Sequence, residues 1–295
     1  MTLPREIIPG RFYMVTRRCT QRQLLLRPDP ATNNAFLYCL AEAALRCDLD
    51  VLLPCAMSNH HHTVVFDRHG NLPAFTEHFH KLLARCLNAL RGRWENFWSS
   101  EQVCIVHLVE PADVLRKLVY AAANPVQDHL VEKVCHWPGV NGLAALLAQR
   151  ALHVTRPRHF FRPDGTMPDE ITLQLVLPPE LGDPDAVRAA LRREVAAVET
   201  AAAAERQRTG ARVLGRRAIL RQSWRAYPTR PAPRRQLRPQ VAARSMWSRI
   251  EALLRNRVFL AAYREARKQW TAGTVIPFPP GTYWLRRHAG VPLAT

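Results

Sequence analysis

Between residues 11 and 16 the side chains Phe12, Met14 and Thr16 alternate with Tyr13 and Val15, the period-two pattern of a strand with one buried face. Asp29-Pro30 breaks the following stretch. From Ala31 the apolar positions Ala35, Leu37, Leu40, Ala43 and Leu45 keep helical spacing to about Asp48. Two short apolar runs, 51–57 and 60–66, flank a Ser58-Asn59 step and predict a β-hairpin. Helical spacing returns over 75–90 (Phe75, Phe79, Leu82, Leu83, Cys86, Leu90), and Gly92 closes it. Residues 103–109 read as a further strand. Pro111 then opens a helix whose face carries Val114, Leu115, Leu118, Val119 and Ala122 until Pro125 interrupts it.

The order β-α-β-β-α-β-α predicts an α+β fold, a ferredoxin-like split βαβ antiparallel sheet with packed helices. After Trp137-Pro138-Gly139 the pattern changes. Residues 156–168 are rich in Arg, Pro and Phe, 171–177 read as one more strand, and 184–207 as an Ala- and charge-rich helix. Residues 228–239 hold Pro among Arg and read as an extended arm, followed by a patterned helix over 241–270. Three regions result: a catalytic-type domain at 1–140, a connecting segment at 141–210, and a basic, mainly helical C-terminal extension at 211–295.

Charge sharpens that division. The 295-residue chain carries a formal net charge of +18, and residues 211–295 hold 18 Lys and Arg against only Glu251 and Glu265. Nearly all the excess therefore sits in the last third and points to a polyanionic partner, nucleic acid first. The N-terminus has no continuous apolar stretch, and no run of about 18 apolar residues occurs elsewhere, so neither a signal peptide nor a membrane partner is expected. Seven cysteines, never spaced CxxC, read as buried thiols. A cytoplasmic, nucleoid-associated location follows as the expectation.

The densest chemical signal is Ser58-Asn59-His60-His61-His62. On a strand, His60 and His62 share one face and His61 takes the other, so the outer pair can bind one metal ion or can stand as solvated edge histidines. Tyr120 and Asn124, at i and i+4, share one face of the helix that Pro111 opens, either as chemistry or as core and turn residues. His78 and His80 cannot share a helix face and are expected to be exposed or facing DNA.

Taken in order, the segment Pro9-Gly10-Arg11-Phe12-Tyr13-Met14-Val15-Thr16-x-Arg18, the Met57-to-His62 run and Tyr120-x-x-x-Asn124-Pro125-Val126 resemble the single-tyrosine HUH transposases. The Asn-Pro-Val variant resembles REP-associated tyrosine transposases most, over roughly residues 5–140. The resemblance implies His60, His62 and Asn124 as ligands of a divalent metal, Mg²⁺ or Mn²⁺, and Tyr120 as nucleophile. It also implies cleavage and rejoining of single-stranded, hairpin or palindromic repeat DNA through a 5′-phosphotyrosine. Departures from the family pattern are Ser58 for Pro, His61 for a hydrophobic residue and Gln127 for Arg; none removes a catalytic group.

Arg17 and Arg18 in the first strand, and Arg216, Arg217, Arg221, Arg225, Arg234, Arg235 and Arg238 in the last third, are the expected DNA-binding residues, with Trp224 and Tyr227 placed to stack on bases. Family members differ in whether the tyrosine serves its own subunit or a partner's, which leaves a homodimer open. A domesticated, non-cleaving regulator that binds repeat hairpins is the alternative to an enzyme.

Overall fold

The structure is a computed structural model and describes residues 4–229 and 239–294. Strand β1 (Arg11–Arg18) leads through a 3-10 turn (Thr20–Arg22) into α1 (Pro30–Cys47). Next come the hairpin β2 (Asp50–Ala56) and β3 (His60–Asp67), helix α2 (Leu72–Arg91), β4 (Cys104–Leu108) and α3 (Pro111–Gln127). The remainder is α4 (Leu143–Leu147), β5 (Leu152–Thr155), β6 (Glu170–Leu173), α5 (Pro184–Thr209), α6 (Arg216–Arg221), β7 (Val241–Ala242), α7 (Met246–Thr271) and α8 (Trp284–Ala289).

Strands β2-β3-β1-β4 pair antiparallel throughout, so β1 and β2 run parallel with β3 between them, and β3 and β4 with β1 between them. This is the split βαβ arrangement that the pattern predicts. Strand β7 adds a fifth position beside β4 in parallel, which makes the whole sheet mixed and not purely antiparallel. Its two residues fall where the sequence predicts the start of a long helix. That helix begins later because Ser245 caps it, accepting a hydrogen bond from the Ser248 N–H at 3.3 Å.

Helix starts are chemically marked. Asp29 accepts from the Thr32 N–H at 2.8 Å ahead of Pro30, and Glu110 and Asp113 form a reciprocal capping box at α3. Pro125 does not stop α3, which continues to Gln127; in the last turn a missing N–H removes one bond near an end already frayed. Residues 152–155, which carry no strand signal, pair with β6, and β6 ends at Leu173 where the pattern suggested Leu177.

Alternation along β3 sends Thr63 and His61 to one face of the sheet and His62 and His60 to the other. Helices α1 and α2 cover the His61 face, where Phe36 and Phe79 meet the His61 ring at 5.6 and 5.4 Å between centroids. Helix α3 covers the opposite face. One buried cluster runs from Ile7 through Leu143, Val154, Leu191 and Val195 to Ile219, so residues 141–219 pack against the same core as the sheet. A small second cluster around Phe278 joins the end of α7 to residues 276–293, and Gly281 accepts from the Ile7 N–H at 3.0 Å. The cysteines are all free; Cys104 is half-buried and Cys135 exposed, contrary to the expectation of seven buried thiols, because Cys104 opens β4 ahead of the stretch that β7 covers and Cys135 lies on a surface turn. Among the described residues no helix is long and apolar enough to cross a membrane.

Candidate active site

His60 and His62 stand side by side on β3, ring centroids 4.9 Å apart, and the Tyr120 ring meets His62 edge-on at 5.2 Å. Asn124, one turn further along α3, is buried and lies close enough to His60 to favour that ring's protonated form slightly. The four residues that the resemblance singles out thus converge within one chain. The i, i+2 spacing on a strand and the i, i+4 spacing on a helix do this only because α3 crosses over β3.

Each histidine is oriented through its Nδ1. The Asn59 amide nitrogen donates to the Arg22 carbonyl at 3.2 Å, which leaves Asn59 Oδ1 facing His60 Nδ1 at 2.8 Å. Since that oxygen can only accept, His60 carries its proton on Nδ1 and keeps the Nε2 lone pair available. Thr16 Oγ1, directly across the β1–β3 ladder, sits 2.7 Å from His62 Nδ1 and holds that ring in orientation. His62 Nε2 and Asn124 Oδ1 are both buried without a hydrogen-bond partner.

Buried polar atoms are rarely left unpaired, and two at one place together with a free imidazole lone pair fit a bound cation. Two imidazole nitrogens and an amide oxygen suit Mn²⁺ or Mg²⁺ with open positions for other ligands. The third donor is an amide. Among the described residues no cluster of three or more His, Cys, Asp or Glu could hold a metal.

Electrostatics agree with neutral ligands. Burial pushes His60 down to about 4, with the Arg18 charge adding to the effect, and holds His62 well below the ordinary imidazole range. Tyr120 is 38% exposed, so a substrate can reach it. Burial and then the Asp128 carboxylate raise its pKa, while Arg18 opposes them; Lys117 Nζ lies 5.3 Å from the ring centroid. The phenol is therefore protonated at neutral pH and needs added positive charge to become a nucleophile.

The basic residues divide. Arg18 pairs with His60 across the ladder and belongs to the site face. Arg17 turns to the opposite face and lies over Trp98 at 5.4 Å, half-buried, as alternation requires, so it is not part of the same surface. Arg216, Arg217, Arg221 and Arg225 are exposed on and after α6, whereas Arg234, Arg235 and Arg238 lie outside the described residues. Trp224 is covered by the guanidinium groups of Arg225, Arg91 and Arg93 at 5.0, 5.8 and 6.0 Å, so stacking partners already surround it.

The histidines of α2 reverse the expectation of exposure. His80 is fully buried, its Nε2 2.9 Å from His61 Nε2, because it shares the inner α2 face with Thr76, Leu83 and Leu87; His78 pairs with Glu42. Thr16, Asn59, Lys117 and Asp128 are the residues of the site that sequence reasoning missed. The spacing of Thr16 within the first motif was the signal available for it. Asp128, eight residues after Tyr120 and thus near its face of α3, had a weaker one.

No family model matches the sequence, and no curated protein matches it. Among solved structures, a REP-associated tyrosine transposase bound to a REP hairpin aligns with a TM-score of 0.43 at 15% identity, covering 60% of this chain and 99% of that one. A putative transposase from Deinococcus radiodurans R1 aligns with a TM-score of 0.28 at 16% identity, covering 36% of this chain and 85% of that one. Both are described as transposases, the kind of protein that the three motifs resemble.

Proposed function

We propose that this chain is a divalent-metal-dependent, transposase-like DNA enzyme that cleaves and rejoins single-stranded hairpin or palindromic repeat DNA. The observation that carries the reading is the convergence, from one chain, of Tyr120 with His60, which carries its proton on Nδ1, with the unpaired Nε2 of His62 and with the unpaired Asn124 oxygen. The Tyr120 ring meets a histidine of its own chain, which supports a site that works within one subunit.

Tyr120 Oη attacks the phosphorus, the bond to the 3′ oxygen breaks, and the products are a 5′-phosphotyrosine and a free 3′-OH that takes up a proton. The phosphodiester bond is conserved, so attack by a 3′-OH reverses the step without a nucleotide cofactor. Asp128 is the carboxylate whose charge Tyr120 feels most, which makes it the candidate acceptor of the phenolic proton. Mg²⁺ or Mn²⁺ held by His60, His62 and Asn124 supplies Lewis-acid polarisation of the phosphoryl oxygen. Arg18, on the same face, offsets charge on the substrate strand, and the exposed arginines of α6 offer further phosphate contacts.

The test is incubation of the protein and its Tyr120→Phe variant with labelled hairpin DNA and Mn²⁺ or Mg²⁺. The expected result is a denaturation-resistant protein–DNA adduct for the wild type only. Tight hairpin binding by the wild type with no adduct on any repeat from its own genome replaces the enzyme with a non-cleaving repeat-binding regulator.

A further inference from the structure

Residues 211–226 belong by charge to the basic last third, yet their backbone is bonded on both sides of the site. At one end the Leu214 N–H donates to the His129 carbonyl at 3.0 Å and the Gly215 N–H to the Leu130 carbonyl at 2.9 Å, just past the helix that carries Tyr120 and Asn124. At the other end the Leu24 N–H donates to the Ala226 carbonyl at 2.9 Å, and the Gln23 amide to the Arg225 carbonyl at 3.2 Å. Arg93 ties these together, donating to Gln23 Oε1 at 2.6 Å while its guanidinium covers Trp224. Between the two ends, Ile219 is buried in the main core.

The anchored loop is the one that orients His60. Residues 19 and 26 are laced to the β2–β3 turn, the Cys19 N–H to the Asn59 carbonyl at 2.8 Å and the Leu26 N–H to the Ser58 carbonyl at 2.9 Å. Within it Gln21 and Arg22 both take left-handed conformations, φ 49° and 58°, which side chains with a Cβ adopt only under strain. Such a backbone persists only where its surroundings hold it. The carbonyl of Arg22 is the group that fixes the Asn59 amide, and Asn59 sets the proton position of His60.

We propose that residues 214–226 form a positioning strap, which holds the Asn59–His60 turn against the Tyr120–Asn124 helix and keeps His60 in its Nδ1–H form. Trp224 and Gln23 are positioning residues acting through Arg22 and Asn59. The inference rests on the reading of His60, His62 and Asn124 as metal ligands, and it makes the segment that presents the α6 arginines part of the architecture of the site.

Trp224→Ala and Gln23→Ala test this in the full-length protein, with Trp224→Phe as the conservative rescue, at a temperature where circular dichroism shows every variant folded. Mn²⁺ titration followed by electron paramagnetic resonance should show affinity weakened about threefold to tenfold in both alanine variants and restored in Trp224→Phe. Imidazole ¹⁵N resonances should show His60 as one tautomer in the wild type and as a mixture in Trp224→Ala. Wild-type Mn²⁺ affinity and an unchanged His60 tautomer in both alanine variants overturn the strap. Absence of Mn²⁺ binding by the wild type, with the tautomer still responding to Trp224→Ala, leaves the strap standing and removes the metal reading.

Discussion

His62 on the front of β3 keeps its Nε2 out of any protein hydrogen bond, while its neighbour His61 commits both ring nitrogens, to Thr63 Oγ1 at 3.0 Å and to His80 Nε2 at 2.9 Å. All three are neutral imidazoles on one strand, His61 and His62 buried and His60 half-buried. What separates them is what each face is packed against: an aromatic box of Phe36, Phe79 and Trp98 behind, and Tyr120 and Asn124 in front. Burial of a histidine therefore says little about its role, and neither does an unmatched nitrogen alone, since His80 behind the sheet leaves its buried Nδ1 unpaired; the groups that share the ring's face say more.

The comparison can be broken most severely at Tyr120. Tyr120→Phe should abolish the covalent adduct while leaving hairpin affinity within about threefold, since the ring and its contacts remain. Next, His62→Ala should weaken Mn²⁺ binding by about 100-fold or more with little change in the unfolding midpoint, measured by titration and by urea denaturation. His61→Ala should do the opposite. Loss of packing and an orphaned His80 should destabilise the fold by about 2–4 kcal/mol, while Mn²⁺ affinity of the folded fraction stays within about threefold. Equal losses of metal affinity from the two substitutions would erase the distinction between the faces.

Acid should act on both faces. His60 is held at about 4 and His61 at about 3 by burial, below their value of about 6.5 in the unfolded chain. The unfolded state thus binds more protons between those limits. Stability contributed by the neutral rings is fully present above about pH 6.5 and falls as pH drops toward 4, by up to about 1.4 kcal/mol per pH unit per histidine. Urea unfolding at pH 7, 5.5 and 4.5 in metal-free buffer reads this slope; a flat profile contradicts burial in the neutral form. The smallest expected effect separates the neighbouring arginines. Arg18→Ala should lower the salt dependence of DNA binding by about one ion, and Arg17→Ala should leave it unchanged.

Alternation by two made most of the site's front readable in advance: it put His60 with His62, and it also put Arg17 with Val15 on the other side, a consequence overlooked because both arginines were read as one basic pair. The spacing of His80 to His78 hides its place, whereas its spacing to Thr76, Leu83 and Leu87 puts it on the buried stripe of α2. The short strands β5 and β7 left no signal, since four and two residues give a period-two pattern too few repeats. Nor could the Arg22–Asn59 contact be foreseen. It depends on left-handed conformations at Gln21 and Arg22, residue types that do not announce them.

Strand β7 has a bearing on how the chain is made. It lies along β4 and accepts from the His107 N–H through Gln240 at 2.9 Å, covering a sheet edge that would otherwise be open to foreign strands. On a ribosome that cover arrives roughly 130 residues after β4 has emerged, some 7–25 seconds later at ordinary elongation rates. Throughout that interval the nascent sheet presents an unpaired edge, and a chain that terminates before Val241 retains it permanently.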